Sequence, residues 1–226
     1  MQKSFFLKSS LIKKYWMALT GLFLCLFLVG HVAGNLQLFM PEAQLQFNAY
    51  AKFMTTNPAV KLLSYLTYFS ILFHAADGIL LTVQNRAARP IGYAMNKPEK
   101  NSSFASRNMA ILGSIVLIFI IMHMSNFWAR MHFTEMPIDA AGNKDLYRVV
   151  FEFFRHAEYG LVMVILYVVA MIGLGFHLQH GFSSAFQSLG LRHRKYTPMI
   201  KTAGMLFAVI VPTLFALMPL YIYFTK

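Results

Sequence analysis

Four histidines stand alone in four separate apolar stretches of the chain: His31, His74, His123 and His177. A neutral imidazole inside a bilayer costs free energy unless its nitrogens find partners, so an ionisable residue in a membrane span is by default a candidate functional residue. One such histidine is more often a core residue that donates to a backbone carbonyl. Four of them, an even number on four helices, indicate two metal centres with two axial ligands each. Two haems in a helical bundle have that requirement.

The composition places these apolar stretches in a membrane. The chain has 226 residues, of which 58% are hydrophobic and 12% charged, and its mean hydropathy is +0.53. Soluble domains carry roughly 25% charged residues. Four charge-free runs exceed the ~20 residues that span hydrocarbon, and a fifth is interrupted only by Asp77. The sequence therefore predicts a multi-pass membrane protein, with no length left for a soluble catalytic domain.

The elements that position the histidines are five membrane-spanning helices in one all-α transmembrane domain, residues 1–226. We predict these helices at 15–39, 60–84, 108–130, 157–183 and 201–223, with loops at 40–58 and 131–155. No small-residue cleavage site follows the first helix, so we expect a retained span and not a removed signal peptide. The chain has one cysteine, Cys25, and no C-x-x-C-H motif, so any haem would be of the b type.

The distribution of charge predicts the orientation of the helices. Thirteen of the twenty Lys and Arg residues, with a single acid, Glu99, lie before the first helix and in the second-to-third and fourth-to-fifth connections. On the other side of the membrane, acidic residues nearly offset the basic ones. The positive-inside rule places the N-terminus in the cytoplasm and the C-terminus outside. Topology thus explains the net charge of +12, and we expect no nucleic-acid partner.

Depth in the membrane pairs the four histidines. At about 1.5 Å of rise per residue, His31 and His123 lie roughly 24 and 22 Å from the cytoplasmic starts of their helices. His74 and His177 lie roughly 21 and 27 Å from the outer starts of theirs, which places them in the inner half. We predict an outer pair, His31 with His123, and an inner pair, His74 with His177, about 15 Å apart. A single tetrahedral zinc site is disfavoured because the two layers are too far apart to share one ion.

Several short motifs resemble one known family of membrane anchors. The run YWMALTGLFL at 15–24, which leads to His31, resembles the first helix of the dihaem cytochrome b subunit of succinate dehydrogenase and fumarate reductase. The triplet FHA at 73–75 and the run HLQHG at 177–181 are similar to the same family, and so is the placement of a histidine in the third helix. The run GNLQLF at 34–39 resembles its single-subunit, menaquinone-linked branch. The resemblance covers nearly the whole chain.

This resemblance implies a bundle around two stacked b haems, with axial ligands His31, His74, His123 and His177 in the pairs given by depth. It implies a flavoprotein and an iron–sulfur protein docked on the cytoplasmic face of a bacterial inner membrane. Electrons would pass from succinate through these partners, the inner haem and the outer haem to menaquinone, as in respiratory complex II of the tricarboxylic acid cycle. The basic face would dock the iron–sulfur protein, although orientation alone explains those charges equally well. A higher oligomer of the complex is compatible with the sequence.

Three other functions are compatible with the same histidines. The first is the anchor of a quinol:fumarate reductase that runs in reverse; some fumarate-reducing members carry a glutamate two residues before the fourth ligand, where this chain has Gly175. That difference favours succinate oxidation. The second is a cytochrome b anchor of a hydrogenase or formate dehydrogenase, whose ligands would normally be spaced differently. The third is a haem-free transporter or assembly protein with a proton relay, which usually includes several buried acids; Asp77 alone is a poor set.

Three polar residues are candidate contacts of the haem propionates. We expect Arg155 and His156 to open the fourth helix and to hold propionates on the outer side through charge-assisted hydrogen bonds. On the inner side, we expect His180 to contact a propionate or a partner protein. His180 lies three residues beyond His177, near the same helix face, which makes it the alternative axial ligand.

Quinone reduction requires a polar pocket with a proton donor near the outer haem. Asn35, Gln37 and Glu42 follow His31 on that side and are the candidates, the alternative being that they are simply solvated loop residues. Asp77 lies near the inner interface, where it would pair with a basic residue such as Arg86, contact a propionate, or stand as a plain interfacial carboxylate.

Overall fold

The described part of the chain is almost entirely helical. The computed structural model of the protein describes residues 10–88 and 97–225. Within these ranges, the helices of eight or more residues are α1 Ser10–Asn35, α2 Gln44–Thr56, α3 Pro58–Ala87, α4 Met109–His123, α5 Leu146–Arg155, α6 Gly160–Ser188 and α7 Thr197–Phe224. Shorter helical turns occupy Leu36–Phe39, Pro98–Lys100, Phe104–Arg107, Met124–Ala129 and Arg130–Phe133. No strand forms in the described ranges.

Five helical segments of the described chain are long and apolar enough to cross a membrane. They are Leu11–Phe39, Pro58–Ala87, Met109–Phe133, Gly160–Ser188 and Thr197–Phe224. The third of these spans joins α4 to a π-helical turn at Met124–Ala129 and a last turn at Arg130–Phe133. The prediction of five spans is confirmed, and no predicted boundary is wrong by more than five residues. The protein is an all-α, multi-pass membrane protein.

The fourth span begins three residues later than predicted because the chain turns sharply before Gly160. Helix α5 ends at Arg155, and a short turn that contains His156 leads to α6. A Cβ atom on Gly160 would lie 2.5 Å from the carbonyl oxygen of Phe154, so a side chain there would force the turn apart. Arg155 and His156 therefore lie just before the fourth span, Arg155 as the last residue of α5 and His156 in the turn.

The two connections predicted as loops each contain a helix, α2 and α5, and a buried amide joins them. Asn48 of α2 is 1% exposed. Its side-chain nitrogen donates to Asp139 at 3.1 Å and to Asp145 at 2.8 Å, and its oxygen accepts from the backbone nitrogen of Tyr147 at 2.9 Å. A buried polar group must be paired to avoid a desolvation cost. Asn48 meets that condition and ties α2 to the start of α5.

Successive spans run in opposite directions, and α6 and α7 pack closely against each other. A Cβ on Gly204 of α7 would lie 2.7 Å from the ring of Phe182 in α6. By contrast, only 6% of the most apolar part of the third span is buried, against 39% of that of α6. The third span is thus the least buried of the five. We call the end of the bundle at which α1 begins the N-terminal face; the predicted orientation places it in the cytoplasm.

Candidate functional site: a cavity with two histidine pairs

The bundle contains a cavity of about 1830 Å³ that is partly open to the surface, and all four span histidines line it. Helices α1, α3, α4 and α6 supply one histidine each. A pocket for one small ligand has about 300–1,000 Å³, so this cavity accommodates two ligands of cofactor size. Because protein interiors are otherwise close-packed, a space of this volume between helices indicates a binding site.

His31 and His123 form the pair farther from the N-terminal face, with ring centroids 5.8 Å apart. Phe27 stacks on His31 with a centroid distance of 5.2 Å, and Phe119 stacks on His123 at 5.6 Å. Phe215 of α7 also contacts His31, at 5.4 Å. These aromatic side chains pack against both imidazoles.

His74 and His177 form the second pair, with ring centroids 6.1 Å apart. Each of these rings lies against a glycine of a neighbouring helix. A Cβ on Gly21 of α1 would lie 3.1 Å from Cε1 of His74, and a Cβ on Gly113 of α4 would lie 3.8 Å from Cε1 of His177. The imidazole of His74 therefore occupies space that any larger residue at position 21 would restrict.

The positions of these two glycines along their helices give the distance between the two histidine pairs. Gly21 precedes His31 by ten residues in α1, and Gly113 precedes His123 by ten residues in α4. At about 1.5 Å per residue, each helix separates the two pairs by about 15 Å. The structure thus brings together the histidines that the depth count pairs, His31 with His123 and His74 with His177.

The side-chain hydrogen-bond partners of these rings within the described residues all face Nδ1. Nδ1 of His74 lies 3.3 Å from Oγ1 of Thr20, and Nδ1 of His31 lies 3.4 Å from Nδ2 of Asn35. In the other two rings, His123 and His177, Nδ1 is buried and has no partner in the described chain. No side chain of the described residues hydrogen-bonds Nε2 of any of the four rings.

The separation within each pair suits one metal ion held between two imidazoles. With metal–nitrogen distances of about 2.0–2.1 Å, two imidazoles on opposite sides of one ion have ring centroids about 6 Å apart. The observed centroid distances are 5.8 and 6.1 Å. Among the described residues, no group of three or more His, Cys, Asp and Glu side chains converges. Each pair can thus supply two axial ligands, and the remaining ligands would come with the cofactor.

Basic side chains line both ends of the cavity. Those at the N-terminal face are Lys14, Arg86 and His180, and those at the opposite end are Lys61, His132 and Lys144. No carboxylate of the described residues lines the cavity. The two ends therefore favour ligands with anionic groups that point toward the two membrane surfaces.

The predicted propionate contacts lie in different places. His180 lines the cavity, whereas Arg155 and His156 do not. The guanidinium of Arg155 donates to two backbone carbonyls at the end of α7, including that of Ile222 at 2.7 Å. His156 stacks on Tyr159 with ring centroids 3.8 Å apart. Arg155 therefore binds the carboxyl-terminal end of the last span, where a cation is favoured by the exposed carbonyls.

The predicted quinone contacts do not converge on one pocket. Asn35 lines the cavity, and its amide nitrogen donates to the carbonyl of His31 at 2.8 Å. Gln37 folds back onto its own helix and donates to the carbonyl of Gly34 at 3.1 Å. Glu42 is exposed and has a φ of 59°, in the left-handed region. Of the three, only Asn35 is placed to influence a ligand in the cavity.

Asp77 is half-buried near the N-terminal face and does not line the cavity. It forms no hydrogen bond or ion pair with another described residue, so the suggested pairing with Arg86 is not found. Arg86 instead lines the cavity.

Sequence reasoning missed a polar aromatic group at the end of the cavity opposite the N-terminal face. The indole nitrogen of Trp128 donates to the hydroxyl of Tyr68 at 2.8 Å, and the indole stacks on His132 with centroids 4.6 Å apart. Nδ1 of His132 lies 2.8 Å from the carbonyl oxygen of Trp128. The signal for this group was the spacing of Trp128 and His132, four residues apart on one helix face.

Fold and site together define an all-α, multi-pass membrane protein whose central cavity carries two pairs of histidines. No family model, no curated protein and no solved structure matches this chain. The function of the cavity therefore rests on its own residues.

Proposed function

We propose that the protein is the dihaem cytochrome b membrane anchor of a succinate:menaquinone oxidoreductase, the quinone-reactive subunit of respiratory complex II. A flavoprotein and an iron–sulfur protein would dock on its basic N-terminal face, on the cytoplasmic side of a bacterial inner membrane. These partners would carry the dicarboxylate chemistry. The alternative is the anchor of a quinol:fumarate reductase, which would use the same cavity in the reverse direction.

The proposal rests on one observation: four histidines form two pairs, and both pairs line the same cavity. Each pair offers two donors, and a structural or catalytic zinc site needs three or four protein ligands. A haem iron needs only two axial ligands because the porphyrin supplies the other four nitrogens. The cavity of about 1830 Å³ has room for two such groups, one in each layer. Donor number, donor spacing and volume all support haem over a bare metal ion.

The residues of the chain would bind and insulate these groups. Nε2 of His31 and of His123 would ligate one haem, and Nε2 of His74 and of His177 the other. The basic side chains at the two ends of the cavity would hold the propionates by charge-assisted hydrogen bonds. Bound haem would supply one-electron transfer in each layer, which would connect the iron–sulfur partner to the quinone.

A proton-relay function is less well supported by the same residues. Intramembrane proton relays usually contain several acids. The buried acids of the described chain are Asp139 and Asp145, which both lie outside the spans. Asp77 is only half-buried, so the four histidines have no set of carboxylates with which to exchange protons.

The packing at Gly175 favours succinate oxidation over fumarate reduction. A Cβ on Gly175 would lie 3.2 Å from the backbone carbonyl of Ala208, so α6 and α7 would have to separate before a longer side chain fits. The family that the sequence resembles includes fumarate-reducing members with a glutamate at this place. The close contact of two backbones supports a glycine at this position.

The proposal is tested by the reduced-minus-oxidised absorption spectrum of the purified chain, together with a pyridine haemochrome assay. We expect a b-type α band and two haems per chain. A correctly inserted protein without haem would refute the proposal and its cytochrome alternatives together.

The partners are tested in native membranes that contain the whole complex. Succinate should reduce the b haems, and the competitive inhibitor malonate should prevent that reduction. Reduction by hydrogen or formate, and not by succinate, would instead identify the anchor of a hydrogenase or formate dehydrogenase.

A further inference from the structure

The four histidines differ in what their Nδ1 atoms face. Only His74 faces a side-chain oxygen among the described residues, namely Oγ1 of Thr20 at 3.3 Å. His31 faces the amide nitrogen of Asn35, and Nδ1 of His123 and of His177 has no partner in the described chain. The four candidate ligands are thus not equivalent.

The contact between Thr20 and His74 determines which imidazole nitrogen carries the proton. Thr20 is 5% exposed, and its hydroxyl donates to the carbonyl of Trp16 at 2.7 Å. Because that proton is engaged by the carbonyl, Oγ1 offers a lone pair to His74, and a backbone hydrogen bond from His74 to Met17 favours the same tautomer, with the proton on Nδ1. Nε2 is then unprotonated, which is the state that binds a metal.

The contact at His31 cannot have the same effect. The amide nitrogen of Asn35 donates to the carbonyl of His31 at 2.8 Å, which identifies it as nitrogen and not oxygen. A second N–H of the same amide faces Nδ1 of His31, and an N–H group cannot accept a proton. The acceptor at Nδ1 is therefore a feature of His74 alone in the described chain.

We propose that Thr20 is a positioning residue for His74, which holds the imidazole in the metal-binding tautomer and makes it the more electron-donating ligand of its pair. This inference rests on the proposed function, since it concerns the haem held by His74 and His177. A hydrogen bond from Nδ1–H to an acceptor raises the basicity of a metal-bound imidazole. A more basic axial ligand favours the oxidised iron, so Thr20 lowers the reduction potential of this haem.

The neighbouring residue gives the ring the space it needs. A Cβ on Gly21 would lie 3.5 Å from Nδ1 of His74 and 3.1 Å from Cε1. Thr20 thus supplies a hydrogen-bond acceptor and Gly21 leaves space, and the edge of the His74 ring that carries Nδ1 and Cε1 lies against both residues. At the other ring of the pair, Gly113 offers a gap without an acceptor.

The test compares Thr20→Val with Thr20→Ser in the purified holoprotein. Valine keeps the shape of threonine and removes the acceptor, whereas serine keeps the hydroxyl. Thr67→Val is the matched control, because Thr67 is also 5% exposed, lines the cavity and donates to the carbonyl four residues earlier, without a histidine partner. The readouts are the midpoint potentials of the two haems in a spectroelectrochemical titration and the haem content per chain.

We expect Thr20→Val to favour reduction of one haem about tenfold, which corresponds to about 59 mV for a one-electron couple. The other haem should keep its potential, and Thr20→Ser and Thr67→Val should resemble the wild type. If Thr20→Val loses one haem while Thr20→Ser retains both, the result would also support a positioning role of Thr20 for His74.

Two results would overturn the inference in distinguishable ways. If the wild type carries two haems and Thr20→Val leaves both potentials and the haem content unchanged, Thr20 has no positioning role and the proposed function stands. If the wild type binds no haem, the proposed function fails and the inference fails with it. Equal shifts in Thr20→Val and Thr67→Val would assign the effect to general packing and also count against it.

Discussion

The two glycines that touch the histidines of the second pair provide a controlled perturbation of that pair alone. Gly21→Ala would place a Cβ 3.1 Å from Cε1 of His74, whereas Gly113→Ala would place one 3.8 Å from Cε1 of His177. The first distance is tighter than an ordinary carbon–carbon contact, so the ring would have to shift, and the second is an ordinary van der Waals contact. The same substitution is therefore made twice in one layer, with and without a steric conflict.

The expected magnitudes follow from these distances. Replacing a mid-helix glycine by alanine stabilises a helix by about 0.5–1 kcal/mol, and Gly113→Ala should show that gain. At Gly21 the gain is opposed by overpacking, which typically costs about 1–3 kcal/mol. The ring of His74 has to give by a few tenths of an ångström to admit this Cβ. We expect Gly21→Ala to be less stable than Gly113→Ala by about 1–3 kcal/mol.

The assay is thermal unfolding of both variants in the same detergent, with haem content measured in parallel. A difference of 1 kcal/mol corresponds to about 2–4 °C in Tm for a chain of this size. Gly21→Ala should also lose haem from one layer only, while Gly113→Ala keeps both haems. If Gly21→Ala matches or exceeds Gly113→Ala in both Tm and haem content, the ring of His74 is not confined as described and the reasoning is wrong.

Three further predictions concern single residues. His123→Leu should remove one haem and spare the other, seen as partial loss of the b-type absorption; equal loss of both haems in an inserted protein would contradict two independent layers. Asn48→Ala should lower the free energy of unfolding by about 3–6 kcal/mol, since two carboxylates lose hydrogen bonds worth about 1.5–3 kcal/mol each, and an unchanged Tm would contradict this. Backbone hydrogen bonding from Asn143, with smaller help from Asn48, holds the pKa of Asp139 below its usual value. The ionised carboxylate of Asp139 therefore stabilises the fold fully above the unfolded pKa of about 3.9, and this stabilisation is lost as pH falls through the folded pKa. The Tm advantage of wild type over Asp139→Asn should shrink below about pH 4. An advantage that stays constant with pH would refute the lowered pKa of Asp139.

The membrane spans could be predicted because their signal is local. Hydrophobic length alone identifies a helix that crosses a bilayer, and all five predicted spans are present within five residues of their ends. The start of the fourth span was wrong because it depends on a backbone contact between Gly160 and Phe154, which no hydropathy pattern records.

The helices outside the spans could not be predicted in the same way. Helix α2 is short and flanked by prolines, and its stability depends on Asn48 meeting Asp139 and Asp145, about ninety residues further along the chain. Arg155 was interpreted as a ligand contact because it is basic and close to a span. Its actual partners are carbonyls at the end of α7, another contact between distant parts of the sequence.

The sequence by itself determined which residues cross the membrane and at what depth each histidine lies. Depth follows from a constant rise per residue, so the two layers of His31 with His123 and His74 with His177 could be derived without coordinates. Rotation of each helix about its own axis is set by packing between spans, and it decides what each ring touches. Only the tertiary structure therefore revealed the cavity and the acceptor that Thr20 offers to His74.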